Sequence, residues 1–246
     1  MPNIRLTIAY DGTRYAGWQI QKNAKTIQEE IEKSLKAILK EKTKLVAAGR
    51  TDSGVHATAQ VANFKTKRNF SLEKLHTALN SNLPKDISIL KVEKVPPRFH
   101  SQFNAKSKIY RYTILNNRTD DPFTKQYYYR VLYRLNLSLM RKVVKSLVGR
   151  HDFRSFQAKS NLSRIKDTTR TIKEIKIKKA KQFIYIDIEA DGFLHNMARS
   201  IVGTLIEIGR GYLKKDAMQR ILRAKDRRQA GPTAPAKGLM LIKVKY

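Results

Sequence analysis

The strongest constraint on this chain is a two-residue alternation at its start. From Asn3 to Tyr10, Ile4, Leu6, Ile8 and Tyr10 share one face, and the turn residues Asp11 and Gly12 follow. Successive strand side chains point to opposite faces, so the pattern predicts a half-buried strand. Further strands are predicted over Leu45–Ala48, Ala59–Phe64, Ile87–Val95, Lys108–Leu115, Thr171–Lys178, Phe183–Ala190 and Leu239–Tyr246.

Helical periodicity separates them. Thr26 and Glu29 have the spacing of a capping box, and Ile27, Ile31, Leu35, Ile38 and Leu39 recur at helical period up to Lys40. Other helices are expected over Ser71–Asn80, over Ser138–Leu147 before Gly149, from about Leu194 to Ile208 with Met197, Ile201, Leu205 and Ile208 inward, and over Asp216–Ala224. Strands in pairs with helices between them predict an α+β fold with mainly antiparallel sheets. Pro96 and Pro97 break the chain between two such halves, residues 1–105 and 106–246.

Charge narrows the choice of partner. The chain carries 51 Lys and Arg against 20 Asp and Glu, a formal net charge of +31 over 246 residues. Self-repulsion of that size in a compact body is most easily tolerated beside a polyanion, and nucleic acid leads that class. A 41% hydrophobic content supports a full core. With no Cys, disulfides, thiolate metal sites and cysteine nucleophiles are excluded. The N-terminus lacks a signal-peptide pattern, and no stretch approaches the ~20 apolar residues of a membrane span, so a cytoplasmic location away from membranes is expected.

Between two predicted strands lies Gly49-Arg50-Thr51-Asp52-Ser53-Gly54-Val55-His56-Ala57. An Asp in a glycine-bracketed loop also serves simply to cap a turn. The density of polar donors around Asp52, with hardly a core-former among nine residues, marks it as a candidate reactive carboxylate.

This loop resembles the signature of the TruA family of tRNA pseudouridine(38-40) synthases. The resemblance extends in order through Tyr10-Asp11-Gly12-Thr13 with Gly17-Trp18-Gln19, Lys108-Ile109-Tyr110-Arg111-Tyr112, His151-Asp152-Phe153 with Ser155-Phe156, Phe193-Leu194-His195-Asn196-Met197-Ala198-Arg199, and Gly231-Pro232-Thr233-Ala234-Pro235 with Gly238-Leu239. Ser53 and Ala198 stand where the family often has Ala and Val, and neither changes a group with chemistry.

The resemblance implies a pseudouridine synthase fold of two related α+β halves, a homodimer acting on tRNA, and neither cofactor nor metal. It implies that Asp52 is the catalytic aspartate, that Tyr110 stacks on the target uracil, that Arg199 pairs with the aspartate, that Arg50 helps displace the flipped nucleotide, and that Leu239 lines the pocket. Positions 38, 39 and 40 of the anticodon stem-loop would be the uridines modified.

The residue types suit that chemistry. Pseudouridine formation breaks the N1–C1′ bond and joins C5 to C1′, so reactant and product are isomers and no redox carrier is required. An ionised carboxylate can add to C1′, add to the uracil ring or abstract the C2′ proton. A cation within reach would hold a buried carboxylate ionised. Read on their own pattern, Arg199 is equally a solvated helix charge, and the strand face shared by Tyr110 and Tyr112 is more often core than binding surface. His56, His76, His100, His151 and His195 show no metal-pair spacing. A non-catalytic RNA-binding protein would share the charge and the α+β pattern but gains nothing from a carboxylate facing phosphate, and a metal-dependent nuclease would need clustered carboxylates.

Overall fold

The computed structural model describes residues 1–158 and 167–246. The chain divides into two compact units, Met1–Lys106 with Met240–Tyr246, and Ser107–Leu239. Each is an α+β unit with a mainly antiparallel sheet.

In the first unit, β1 (Asn3–Tyr10) is followed by α1 (Ile27–Leu39), β2 (Val46–Ala47), β3 (His56–Lys65), α2 (Leu72–Asn82) and β4 (Ile87–Val95). β1 lies antiparallel between β4 and β3, with Leu6 opposite Ala62 on one side and Val92 on the other, and β2 pairs with β3. The alternation of β1 is realised, with Ile4, Leu6, Ile8 and Tyr10 buried. Thr26 caps α1 by accepting from the Glu29 backbone N–H at 3.4 Å, and Ile27, Ile31 and Leu35 bury the apolar stripe.

In the second unit, β5 (Ser107–Leu115), β6 (Tyr129–Arg130), α3 (Leu137–Val143), β7 (Gly149–Asp152), β8 (Thr169–Ala180), β9 (Phe183–Ala190), α4 (Met197–Gly209) and α5 (Ala217–Ala224) follow in order. The sheet runs β5-β9-β8-β7, all antiparallel, with β6 added parallel to β5. Ile184, Ile186 and Ile188 of β9 and Met197, Ile201, Leu205 and Ile208 of α4 are buried.

The last strand, β10 (Leu239–Lys245), had been expected with the second half. From Met240 onward it counts with the first unit, where Met240 and Leu241 pair in parallel with His56 and Ala57 of β3. A C-terminal strand can join a distant early strand only as a non-local pairing, which local periodicity does not encode. The helix expected over 138–147 is α-helical to Val143 and continues as a 3-10 turn over Val144–Leu147.

Candidate active site

In the first unit, the loop between β2 and β3 is held by backbone contacts with the segment after β1. The Trp18 N–H donates to the Thr51 carbonyl at 3.0 Å, the Gly54 N–H to the Tyr15 carbonyl at 3.4 Å, and the Val55 N–H closes a turn on the Asp52 carbonyl at 3.1 Å. Side chains add to this. The Ser53 hydroxyl donates to the Tyr15 carbonyl at 3.2 Å, and Gln60 Nε2 to the Gly49 carbonyl at 2.8 Å.

Two glycines make the approach possible. A Cβ on Gly12 would lie 2.1 Å from the Val55 carbonyl oxygen, and one on Gly17, at φ +97°, would lie 2.6 Å from the Thr51 carbonyl oxygen. Neither accepts a side chain without displacing the loop. Of the two glycines that bracket Asp52, Gly54 takes the left-handed backbone angle, at φ +74°, and Gly49 does not.

Below the loop sits a buried polar layer. The Tyr10 hydroxyl and Thr51 Oγ1 are 2.8 Å apart, and burial pushes the Tyr10 phenol up to about 12. The Gly12 N–H donates to His56 Nδ1 at 3.1 Å. Asp11 Oδ1 lies 3.1 Å from the same nitrogen.

Behind Tyr15 stands Asp86. The Tyr15 hydroxyl donates to Asp86 Oδ1 at 2.6 Å, Arg14 Nε and Nη2 both reach Asp86 Oδ2, and the Asp11 N–H donates to the Asp86 carbonyl at 2.9 Å. Burial raises the Asp86 carboxyl, and the hydrogen bonds from Tyr15 and Arg14 outweigh it, so the group ends below the usual carboxylate range. Asp86 braces the same Tyr15 that receives Ser53 and Gly54. On this support Asp52 is half-buried and Arg50 is exposed.

The other three residues lie in the second unit. Tyr110 is 6% exposed on β5 and meets Phe193 edge to face at 4.8 Å. Its same-face neighbour Tyr112 is fully buried and donates to the Pro235 carbonyl at 2.8 Å. Burial pushes the Tyr112 phenol up, with the charge of Arg199 acting against it. Leu239 is buried at the start of β10.

The helix expected from Leu194 begins at Met197, because Asn196 adopts a left-handed φ of +60°. Arg199 thus falls in the first turn, and it alone of the thirteen residues of α4 is not buried. Its Nε donates to the Ala234 carbonyl and its Nη1 to Asn196 Oδ1, each at 2.8 Å. The Ala234 N–H returns to the Arg199 carbonyl at 3.1 Å.

Close packing again explains glycines. A Cβ on Gly203 would lie 1.7 Å from the Pro232 carbonyl oxygen, and one on Gly238 2.6 Å from the Tyr112 ring. The Gly231–Pro235 stretch is therefore the brace of Arg199 and Tyr112.

A family described as tRNA pseudouridine synthase matches residues 6–104 and 143–246. A tRNA pseudouridine synthase A of Thermoanaerobacter sp. (strain X514) is 47% identical, with 100% of each chain covered. Proteins of the same name from Clostridium acetobutylicum and Moorella thermoacetica are each 46% identical, again over 100% of both chains. Among the described residues no helix is long and apolar enough to cross a membrane.

Proposed function

The chain belongs to the tRNA pseudouridine synthase family, isomerases that act on tRNA uridines, and on that premise we propose that it converts uridines 38, 39 and 40 of the anticodon stem-loop with Asp52 as the catalytic group. It works without a cofactor, as a homodimer, in the cytoplasm.

The observation that carries this reading is the construction of the Asp52 loop. Two glycines, a buried Tyr10–Thr51 contact and the Asp86–Tyr15 brace converge on a loop whose Thr51, Val55, His56 and Ala57 are buried, while Asp52 between them is left half-buried. A turn whose only task was to join two strands would need none of this. A reactive carboxylate needs it, because small misplacements of a catalytic group cost large factors in rate.

The roles are those the family resemblance implies, and the chemistry suits them. Asp52 acts on the ribose or the uracil, as C1′ nucleophile, ring nucleophile or C2′ base. In each case the N1–C1′ bond breaks, C5 joins C1′, the C5 proton is lost and N1 gains one. Arg199 adds its charge to the positive end of α4, a place that stabilises a nearby anion. Tyr110 stacks on the extruded uracil, and its low exposure means that a bound base displaces neighbours from the ring. Arg50, exposed beside Asp52, assists displacement of the nucleotide, and Leu239 contributes apolar lining.

Because C5 loses its hydrogen, a tRNA transcript carrying tritium at uridine C5 reads the reaction directly. Release of tritium into water in the absence of any added cofactor is the expected result. A transcript that binds but retains all its tritium would defeat the isomerase reading and leave an RNA-binding protein.

A further inference from the structure

The end of α4 carries a feature with no part in the chemistry above. Helix α4 closes in a Schellman motif, with the Gly211 N–H donating to the Ile208 carbonyl at 3.1 Å and the Tyr212 N–H to the Glu207 carbonyl at 3.0 Å. Gly211 supplies the left-handed φ of +84° that this motif requires. In such a cap the residue after the glycine commonly turns inward to an apolar contact. Tyr212 instead remains 75% exposed.

The side chain of Arg210 holds this arrangement together. Its Nε and Nη2 both donate to Glu207 Oε2, which fixes the guanidinium plane. The guanidinium carbon lies 4.8 Å from the Tyr212 ring centroid and 5.0 Å from that of Tyr133, itself 58% exposed. The segment that carries Tyr133 is tied to the same helix end, because the Asn136 N–H donates to the Gly209 carbonyl at 2.8 Å. Two aromatic rings are thus ordered by one cation and left largely in solvent. Exposed tyrosines ordinarily lose rotamer freedom on binding, and here much of that loss is already met by folding.

We propose that Tyr133, Arg210 and Tyr212 form a stacking platform for an unpaired nucleobase of the RNA substrate, separate from the uridine that is isomerised. The proposal rests on the tRNA reading above. Aromatic rings flanked by cations are the general means of holding single-stranded nucleic acid, since every base has a π-face and every nucleotide a phosphate. Exposed Arg134 follows Tyr133 in sequence, and exposed Lys214 and Lys215 follow Tyr212 closely, with Asp216 the single acidic residue among these neighbours and itself facing Arg220 at 3.7 Å.

A protein surface is the competing occupant, because Tyr and Arg are also common at interface centres. The charge decides against a second copy of this chain. A two-fold interface sets a patch against itself, which would bring Arg134, Lys214 and Lys215 toward their own counterparts. A polyanion meets the same cations with opposite charge.

The test uses the full chain with tyrosines 133 and 212 replaced singly and together by Ala, and by Phe as the conservative control. Affinity for unmodified tRNA transcript, tritium release at saturating transcript and molar mass by light scattering are measured for each. The double Ala variant is expected to bind roughly five- to a hundred-fold more weakly, the range that loss of one stacked base gives. The Phe variants should bind within about two-fold of wild type, and saturated turnover and molar mass should not change. Unaltered affinity in the double Ala variant would overturn the proposal. So would a fall in affinity that comes with a lower molar mass, which would place the patch between copies of the chain. If wild type itself neither binds tRNA nor releases tritium, the functional reading has failed first, and that result is distinct from either.

Discussion

Gly12 and Val55 are packed so closely that a single added carbon on Gly12 would fall 2.1 Å from the Val55 carbonyl oxygen. Gly17 stands in the same relation to Thr51, and its left-handed φ adds a second reason for glycine. Gly17→Ala is therefore expected to cost about 1–3 kcal/mol of stability, the range for a strained backbone, and to displace the Asp52 loop. Denaturant unfolding and single-turnover rates should both fall, while tRNA affinity stays within a few-fold. A variant with wild-type stability and rate would show that the loop has room the structure does not provide.

Asp86 gives a prediction in pH. Its carboxyl lies below the usual range when folded, so it contributes stability above its unfolded value of about 3.9 and loses that contribution as pH falls through the folded value. Asp86→Asn should lower stability by about 1–2 kcal/mol near neutrality, given hydrogen bonds to a charged, mostly buried group. The gap between wild type and variant should close on acidification below about pH 4. Unfolding curves across that window check it, and a gap that persists at low pH would mean that the carboxylate is not the source.

Much of the fold was legible. β4 and β9 begin and end where periodicity places them, and Thr26 caps α1 as its spacing with Glu29 implies. Failures occurred where non-local contacts decide. β7 is four residues of Gly149–Asp152 with no alternation, made a strand only by its pairing with β8, and the start of α4 is set by the left-handed Asn196. Asp52 was marked first by the polar density of its loop and then by the resemblance, whereas Arg50, Tyr110, Arg199 and Leu239 were reached through the resemblance. Asp86 was not reached at all, because its contact with Tyr15 spans 71 residues and no local pattern marks it. The glycines of the matched blocks stood in the sequence without a reason, and the close backbone approaches supply one.

Arg199→Ala should lower turnover by orders of magnitude with a smaller change in tRNA affinity, since it removes the one cation that α4 presents from its first turn. Arg199→Lys keeps the charge but not the two-point hold on Ala234 and Asn196, and should recover part of the rate. Equal losses of rate in both variants would show that placement outweighs charge, and unchanged rates in both would make Arg199 structural.

Tyr110→Ala should reduce catalysis far more than binding. Phosphate contacts set the salt dependence of affinity, with log K falling by about 0.7–0.9 per contact for each unit of log salt, and a chain of net charge +31 should show a steep slope. That slope should be the same in the variant. Titrations at several salt concentrations check this, and a flattened slope would place Tyr110 on the general RNA-binding surface.

The most direct measurement is to incubate wild type and Asp52→Asn with unmodified total tRNA and map every pseudouridine that forms. Wild type should introduce pseudouridine at positions 38, 39 and 40, and the variant should introduce none while binding the same tRNA within a few-fold, because the change removes the reacting carboxylate and slightly lowers its repulsion of phosphate. Pseudouridine formed by the Asn variant at a rate near that of wild type would contradict the account.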